Sequence, residues 1–230
     1  KPDPLHRSKE QKYYFDKVFK DVDQKEVYEN TCQHLIDPVT KGYNACVFAY
    51  GTTGSGKTYT MIGTKENPGN SVLIIDDMFN TIMKDEDNQY EIKISYVEIY
   101  NEIIRDLLAV KSKETYLDLR DDPIKGVQIA GVKEFKVENS SEVMKLLIEG
   151  NKRRTTEATN INQTSSRSHA IFQIYIHKKD KTANTEQEIL AGKLSLIDLA
   201  GSERGTVTEN TGIRLREGAK INTSLLALAN

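Results

Sequence analysis

The sequence predicts an α/β domain built around a phosphate-binding loop, and three observations predict it. Asn44-Ala45-Cys46-Val47-Phe48-Ala49-Tyr50 is a short apolar run of the kind that forms a buried strand. The residues that follow, Gly51-Thr52-Thr53-Gly54-Ser55-Gly56-Lys57-Thr58, fit the pattern G-x-x-x-x-G-K-[ST]. Lys57-Thr58-Tyr59-Thr60-Met61 can then open a helix, which completes the strand–loop–helix context that the pattern needs. Glycines let the backbone turn tightly and bring N–H groups up to phosphate oxygens. The helix N-terminus adds a favourable dipole. In such a loop Lys57 reaches the β- and γ-phosphates of a nucleoside triphosphate, and the Thr58 hydroxyl ligates magnesium.

The composition sets bounds on the rest. A length of 230 residues suits one domain of mixed type. A hydrophobic share of 37% with 29% charged residues describes a soluble domain with a wet surface. The formal net charge of −2 argues against a protein that coats nucleic acid. No apolar run approaches the roughly 18 residues of a membrane span, and Lys1-Pro2-Asp3-Pro4-Leu5-His6 has no signal-peptide core. Cys32 and Cys46 both lie in apolar patterns and are expected to be reduced and buried. No His/Cys cluster has zinc spacing.

Taken in order, residues 1–12 read as a polar loop and Tyr13 to Phe19 as a strand. Val27 to Thr40 reads as one helix with Val27, Cys32, Leu35, Ile36 and Val39 on its apolar face. After the phosphate loop, Asn67-Pro68-Gly69-Asn70 is a turn, and Ser71 to Met83 is a helix. Asp85-Glu86-Asp87-Asn88 reads as a solvated corner. Tyr90 to Tyr100 alternates and is a strand, and Ile103, Ile104, Leu107 and Leu108 read as a short helix. Leu117 to Val137 holds short strands broken at Asp121-Asp122-Pro123 and at Gly131. Ser140 is the expected N-cap of a helix from Ser141 to about Ala158, in which Arg153 and Arg154 cover an outer face. Ala170 to Ile176 is a strand, Lys178 to Glu188 a polar excursion, and Gly192 to Leu199 a buried strand. Glu209 to Arg216 reads as a loop and Glu217 to Asn230 as a helix.

Two later stretches carry chemistry. Asn162-Gln163-Thr164-Ser165-Ser166-Arg167-Ser168-His169 sets several hydroxyls beside an Asn and an Arg, which suits a loop that closes on a γ-phosphate and its magnesium. Leu196-Ile197-Asp198-Leu199-Ala200-Gly201-Ser202-Glu203-Arg204 ends an apolar strand on Asp198, where a carboxylate can hold magnesium through water. Gly201 lets a backbone N–H approach a γ-phosphate, and Glu203 could pair with Arg167.

These stretches resemble a kinesin motor domain. The phosphate loop, a first switch N-x-x-S-S-R-S-H and a second switch D-L-A-G-S-E all stand here in order. Phe15-Asp16-Lys17-Val18-Phe19, Ser95-Tyr96-Val97-Glu98-Ile99-Tyr100-Asn101-Glu102 and Ile221-Asn222-Thr223-Ser224-Leu225 also match family stretches, so the resemblance runs from about Tyr13 to Asn230. Myosins share the Ser-Ser-Arg but not the Ser-His after it. The resemblance implies a mixed central sheet flanked by helices on both faces, and ATP hydrolysis coupled to microtubule binding. It implies that Gly51, Thr52, Thr53, Gly54, Ser55, Gly56, Lys57, Thr58, Tyr59 and Asn162 hold ATP, with Tyr59 near the base. It implies that Thr58, Ser166 and Asp198 serve Mg2+. Ser165, Ser166, Arg167, Gly201 and Glu203 would act in hydrolysis, Arg167 and Glu203 as a pair and Glu203 within a water relay. The run from Gly201 to Gly212, with Glu217-Gly218-Ala219, Ile221-Asn222 and Ser224-Leu225-Leu226-Ala227-Leu228, is most similar to the eighth kinesin subfamily, whose members commonly walk toward plus ends and also shorten microtubule ends.

The chain departs from the family in places. The Arg-x-x-Pro strand that packs on adenine is not found, Thr52 stands where Gln is usual, and Ala229 where Gly is usual. The expectation is therefore a motor domain, residues 1–230, that lacks its first strand and its C-terminal part. The missing strands would lie between that of Phe15 to Phe19 and that of Ala45 to Tyr50. The implied partner is the microtubule, contacted around Arg204, Arg214, Arg216 and Lys220 and near Lys125, Lys133 and Lys136, with no nucleic acid and no membrane. A homodimer through regions outside this chain and a place on cytoplasmic microtubules follow from the same resemblance. A non-motile microtubule-binding module that holds nucleotide without turnover is the alternative. A metabolic phosphotransferase fits less well, because no acceptor site is visible.

Overall fold

Alternation along the strands decides the architecture. In the computed structural model, which describes residues 12–109, 116–123, 126–158, 166–182, 189–203 and 213–229, eight strands and six α-helices follow one another. The strands are β1 (Asn44–Ala49), β2 (Asn88–Tyr100), β3 (Ile103–Asp106), β4 (Tyr116–Asp122), β5 (Gly126–Ala130), β6 (Phe135–Val137), β7 (Ser168–Asp180) and β8 (Leu190–Asp198). The helices are α1 (Gln24–Thr31), α2 (Ile36–Thr40), α3 (Lys57–Met61), α4 (Asn70–Met83), α5 (Ser140–Ala158) and α6 (Ile213–Ala229). The sheet runs β1-β8-β7-β2-β3-β4-β5, with β6 also on β2. β1 and β8 are parallel and the other pairs antiparallel, so the sheet is mixed as expected.

Even-numbered residues of the long strands face the helices. Ile92, Ile94 and Tyr96 of β2, Phe172, Ile174 and Ile176 of β7, and Leu194 and Leu196 of β8 are buried there. The helices answer with Tyr28, Ile36, Val39, Met61, Ile74, Ile75, Met78, Val143 and Leu147. On the opposite face Val97, Ile104 and Leu117 form a smaller cluster with Ile99, Ile129 and Ile171. Successive residues of a strand point to opposite faces, so even and odd positions of β2 and β7 fill the two clusters.

Several expected elements come out differently. Tyr13 to Phe19 forms no strand, and Tyr13, Tyr14, Phe15 and Val18 lie exposed. The apolar run at Asn44–Ala49 forms the edge of the sheet, with β8 as its only ladder among the described residues, so Phe48 is 50% exposed. Cys46 is exposed with it, against expectation, whereas Cys32 is buried. The expected helix over Val27 to Thr40 breaks into α1, a 3₁₀ turn at Gln33–Leu35, and α2. Pro38 explains the break, because it has no N–H to give a continuous helix but is tolerated in the first turn of a new one. Residues 103–106 pair with β2 as a strand. The two-residue turn Asn101-Glu102, at φ 50° and 67°, closes that hairpin, and tertiary pairing overrides the helical spacing of the leucines and isoleucines. The cap of α5 is Asn139, whose Oδ1 accepts from the Glu142 N–H at 3.0 Å. α6 starts at Ile213, earlier than read. The expected excursion after Lys178 falls partly outside the described residues.

Two contacts fix how the layers meet. Gly150 of α5 rests on the Tyr96 ring, which packs edge-on against Phe172 with centroids 5.3 Å apart. A Cβ at position 150 would overlap that buried ring. Asp85 ties the corner between α4 and β2, accepting from the Tyr90 hydroxyl at 2.6 Å and the Asn88 amide at 2.9 Å, with Lys178 at 3.6 Å. The Tyr90 and Asn88 donors hold its carboxyl at a pKa of about 2.

Gly150→Ala is expected to destabilise the fold by about 1–3 kcal/mol, although alanine is the better helix former, because overpacking outweighs propensity. Chemical denaturation measures this, and a more stable variant would show that α5 does not rest on Tyr96. A carboxyl with a depressed folded pKa stabilises above its unfolded value of roughly 3.9 and loses that effect as pH falls through the folded value. The stability gap between the parent and Asp85→Ala should therefore be constant above about pH 5 and shrink from about pH 4 toward pH 2. A gap that does not change with pH would remove Asp85 from the corner.

Candidate functional site

The fold brings the three motifs to one end of the sheet. The loop Tyr50–Gly56 leaves β1, and α3 begins at Lys57. Gly54 and Gly56 take φ of 79° and 95°, and Gly56 caps α3 in the left-handed region that a side chain would strain. Lys57 turns back over its own loop and donates to the Gly51 and Thr52 carbonyls, at 2.9 Å each. Burial pushes its ammonium pKa down, and Asp198 and Glu203 oppose that shift. Tyr59 is half-exposed on the outer side of α3.

Asp198 closes β8, which runs parallel to β1, so it arrives beside the start of α3. The Thr58 hydroxyl donates to Asp198 Oδ2 at 2.7 Å. The same oxygen accepts from Arg154 Nη1 at 2.6 Å. Arg154 is 1% exposed and also donates to the Ser168 carbonyl at 2.9 Å. Its Nε stands 4.0 Å from Glu98, which is fully buried and paired with Arg105. A buried Arg is not the outer-face residue expected of it. Neighbouring Arg153 differs again, donating to the Leu107 and Ala109 carbonyls at 2.7 and 3.0 Å. A readable signal existed: Val143, Leu147, Gly150 and Arg154 recur at helical spacing, so Arg154 lies on the buried stripe of α5.

The loop after β8 is stitched to the rest of the site by four consecutive amides. Leu199 donates to the Ala49 carbonyl at 3.4 Å, Ala200 to His169 Nδ1 at 3.2 Å, Gly201 to the Ser166 carbonyl at 2.7 Å, and Ser202 to the Gly51 carbonyl at 3.0 Å. The Glu203 carboxylate then reaches the phosphate loop, accepting from the Thr53 N–H at 2.9 Å and from the Thr53 hydroxyl. Burial raises the pKa of this carboxyl, but the Thr53 bonds outweigh it and leave it below the usual range. The contact given to Glu203 here is thus with Thr53 rather than the expected Arg167. A Cβ at Gly201 would overlap the Glu203 carboxylate and the Thr53 hydroxyl, so a side chain there would displace the Glu203–Thr53 contact. α6 reaches the same region through Lys220, whose Nζ donates to Asn101 at 3.0 Å, and Asn222, whose amide donates to the Glu203 carbonyl at 3.3 Å.

Of the residues read from the sequence, Gly51 to Tyr59, Ser166, Arg167, Asp198, Gly201 and Glu203 fall into this one region. Asn162, Ser165, Arg204 and Lys125 lie outside the described residues. Arg214 and Arg216 lie on α6, and Lys133 and Lys136 lie at and just before β6. The donor set fits a magnesium–nucleotide group. Asp198 Oδ1 is buried without a hydrogen-bond partner, and a hydrated divalent cation is the ligand such an oxygen suits.

A family model described as the kinesin motor domain matches residues 2–230. The chain is 50% identical over 227 residues to the kinesin-like protein KIF19 of Homo sapiens, covering 98% of this chain and 22% of that protein. It is 48% identical over 227 residues to KIN-8B of Arabidopsis thaliana, again over 98% of this chain and 27% of the relative, in line with the likeness to the eighth subfamily. The chain thus spans about a quarter of the length of these curated relatives. Among solved structures, one of a fast kinesin superposes with a TM-score of 0.82 at 37% identity, covering 91% of this chain and 60% of that one. A KIF14 dimer with AMP-PNP in complex with a microtubule superposes with a TM-score of 0.78 at 39% identity, covering 90% and 59%. With its three nucleotide motifs gathered at one end of a kinesin-like sheet, the chain belongs to the kinesin motor domain family.

Proposed function

We propose that this domain binds magnesium–ATP, hydrolyses it, and couples hydrolysis to binding and movement on a microtubule. The observation that carries the reading is the meeting of all three motifs through Thr58–Asp198, Gly201–Ser166 and Glu203–Thr53. The KIF14 structure with a nucleotide analogue and a microtubule supports the ligand and the track. That structure is a dimer, in line with a homodimeric whole protein, whose proposed place of work is the cytoplasmic microtubule. Shortening of microtubule ends follows from the likeness to the eighth subfamily.

Bound magnesium–ATP supplies the γ-phosphoryl group and a cation that neutralises charge developing on it. The chain's own groups position and stabilise. Thr58 and Ser166 would offer hydroxyls to the cation, and Asp198 would hold it through water. Asp198 is itself fixed by Arg154, whose guanidinium keeps the carboxylate aimed at Thr58. Lys57 exchanges the Gly51 and Thr52 carbonyls for phosphate oxygens. Gly201 exchanges the Ser166 carbonyl for the γ-phosphate. Glu203 is ionised and so can accept a proton once it leaves Thr53 for Arg167. Asn162 and Ser165 complete the set around the γ-phosphate.

ATP turnover by the full protein should rise strongly with polymerised tubulin, and Lys57→Ala should abolish it. Turnover indifferent to the polymer would overturn the motor reading. Glu203→Ala should keep ATP binding and lose turnover by about 10²–10³-fold; normal turnover would sink the relay role. Arg154→Leu leaves Asp198 buried without its cation. It is expected to cost about 3–5 kcal/mol of stability and to weaken magnesium-dependent nucleotide binding. Unchanged melting and unchanged magnesium dependence would contradict the part given to this pair.

A further inference from the structure

The four amides that stitch the loop after β8 do not have equivalent acceptors. Leu199, Gly201 and Ser202 donate to backbone carbonyls of Ala49, Ser166 and Gly51, which any residue at those positions would supply. Ala200 alone donates to a side chain, Nδ1 of His169. His169 is the second residue of β7 and stands opposite Ile99 of β2, so the sheet fixes its backbone. Ala200 has no exposed surface, so water is not at hand to replace the imidazole. Gly201, whose N–H is the one expected to meet a γ-phosphate, is the next residue.

We propose that His169 is a positioning residue for the nucleotide reaction: by holding the Ala200 N–H it sets the register of residues 199–202 and so aims the Gly201 N–H at the γ-phosphate. The inference rests on the nucleotide-hydrolysis reading. The bond spends the Nδ1 lone pair and places the ring proton on Nε2, so the ring is an acceptor here and not a general base. Its surroundings keep it in that form. Burial and the Arg154 guanidinium push the imidazole pKa down, while Glu102 beyond the β2 end and Asp198 of β8 pull the other way without reversing it. Gly201 can then trade one acceptor for another while its neighbour stays fixed. This confines the change to a single peptide unit.

The test uses the full protein with three substitutions. His169→Asn can present an acceptor where Nδ1 stands. His169→Phe keeps ring volume without an acceptor, and His169→Gln moves the acceptor to the ε position. Deuterium exchange of residues 199–202 without nucleotide is read first, then kcat and KM for ATP with polymerised tubulin. In the Phe and Gln variants exchange should quicken by about tenfold or more, and kcat should fall about 10–100-fold with KM within about threefold, as for an interaction tightened in the transition state. His169→Asn should restore both to within about threefold of the parent. Parent-like exchange and turnover in the Phe or Gln variant would overturn the proposal. Equal loss in Asn, Phe and Gln would overturn it too, by assigning His169 to packing alone. A parent without ATP turnover would defeat the hydrolysis reading instead. The exchange pattern would then decide whether His169 sets the register.

Discussion

The carboxylate of Asp198 holds the site together, and the fold is arranged so that it can. One of its oxygens receives both the Thr58 hydroxyl and the Arg154 guanidinium, so a strand end, the first turn of α3 and the C-terminal part of α5 converge on a single atom. A charge this deeply buried persists only if it is paired and hydrogen-bonded. The pairing comes from the alternation of the sheet. Residues 194, 196 and 198 of β8 share the helix-facing side, as do 94, 96 and 98 of β2. Two apolar positions on each strand thus precede a carboxylate, and Arg154 stands between Glu98 and Asp198. The apolar core ends and the ionic layer begins at the row in which Glu98 and Asp198 flank Ala170 of β7.

The second theme is exchange of partners. Lys57, Gly201 and Glu203 each hold an intramolecular partner in the place where a phosphate, a phosphate oxygen or an arginine is expected. Such groups are kept satisfied rather than left bare, which is what the cost of unpaired buried polar groups demands. It also means that nucleotide binding is measured against these internal bonds, so part of the gross interaction is offset from the start.

Much of this was legible in the sequence. The phosphate loop carries its glycines and its lysine in a fixed pattern, and β2, β7 and β8 alternate or run apolar over enough residues to be read. The misreadings have separate physical causes. Ile103, Ile104, Leu107 and Leu108 carry helical spacing, but the turn at Asn101-Glu102 commits them to a hairpin, and pairing with β2 outweighs local preference. The run at Asn44–Ala49 is as apolar as a central strand, yet burial depends on what lies beside it, and among the described residues that is β8 alone. Arg154 looks like any surface arginine next to Arg153. Only its place on the stripe of Val143, Leu147 and Gly150 distinguishes it, and its partner lies 44 residues away. His169 was readable as part of a motif, but its bond to Ala200 spans 31 residues and has no local trace.

The parallel pairing of β1 with β8 has a consequence for how the chain is made. Asn44 and Lys193 stand opposite each other in that ladder, the Lys193 N–H donating to Asn44 Oδ1, and are 149 residues apart. A chain growing at about 5–20 residues per second takes roughly 7–30 s to cover that distance. The strand that carries the phosphate loop therefore emerges well before β8, its one ladder partner among the described residues. In that interval its apolar residues, Val47 and Phe48 among them, are open to other contacts. This part of the nucleotide site is thus synthesised long before β8 can pair with it, which makes it a stretch that a chaperone could shield.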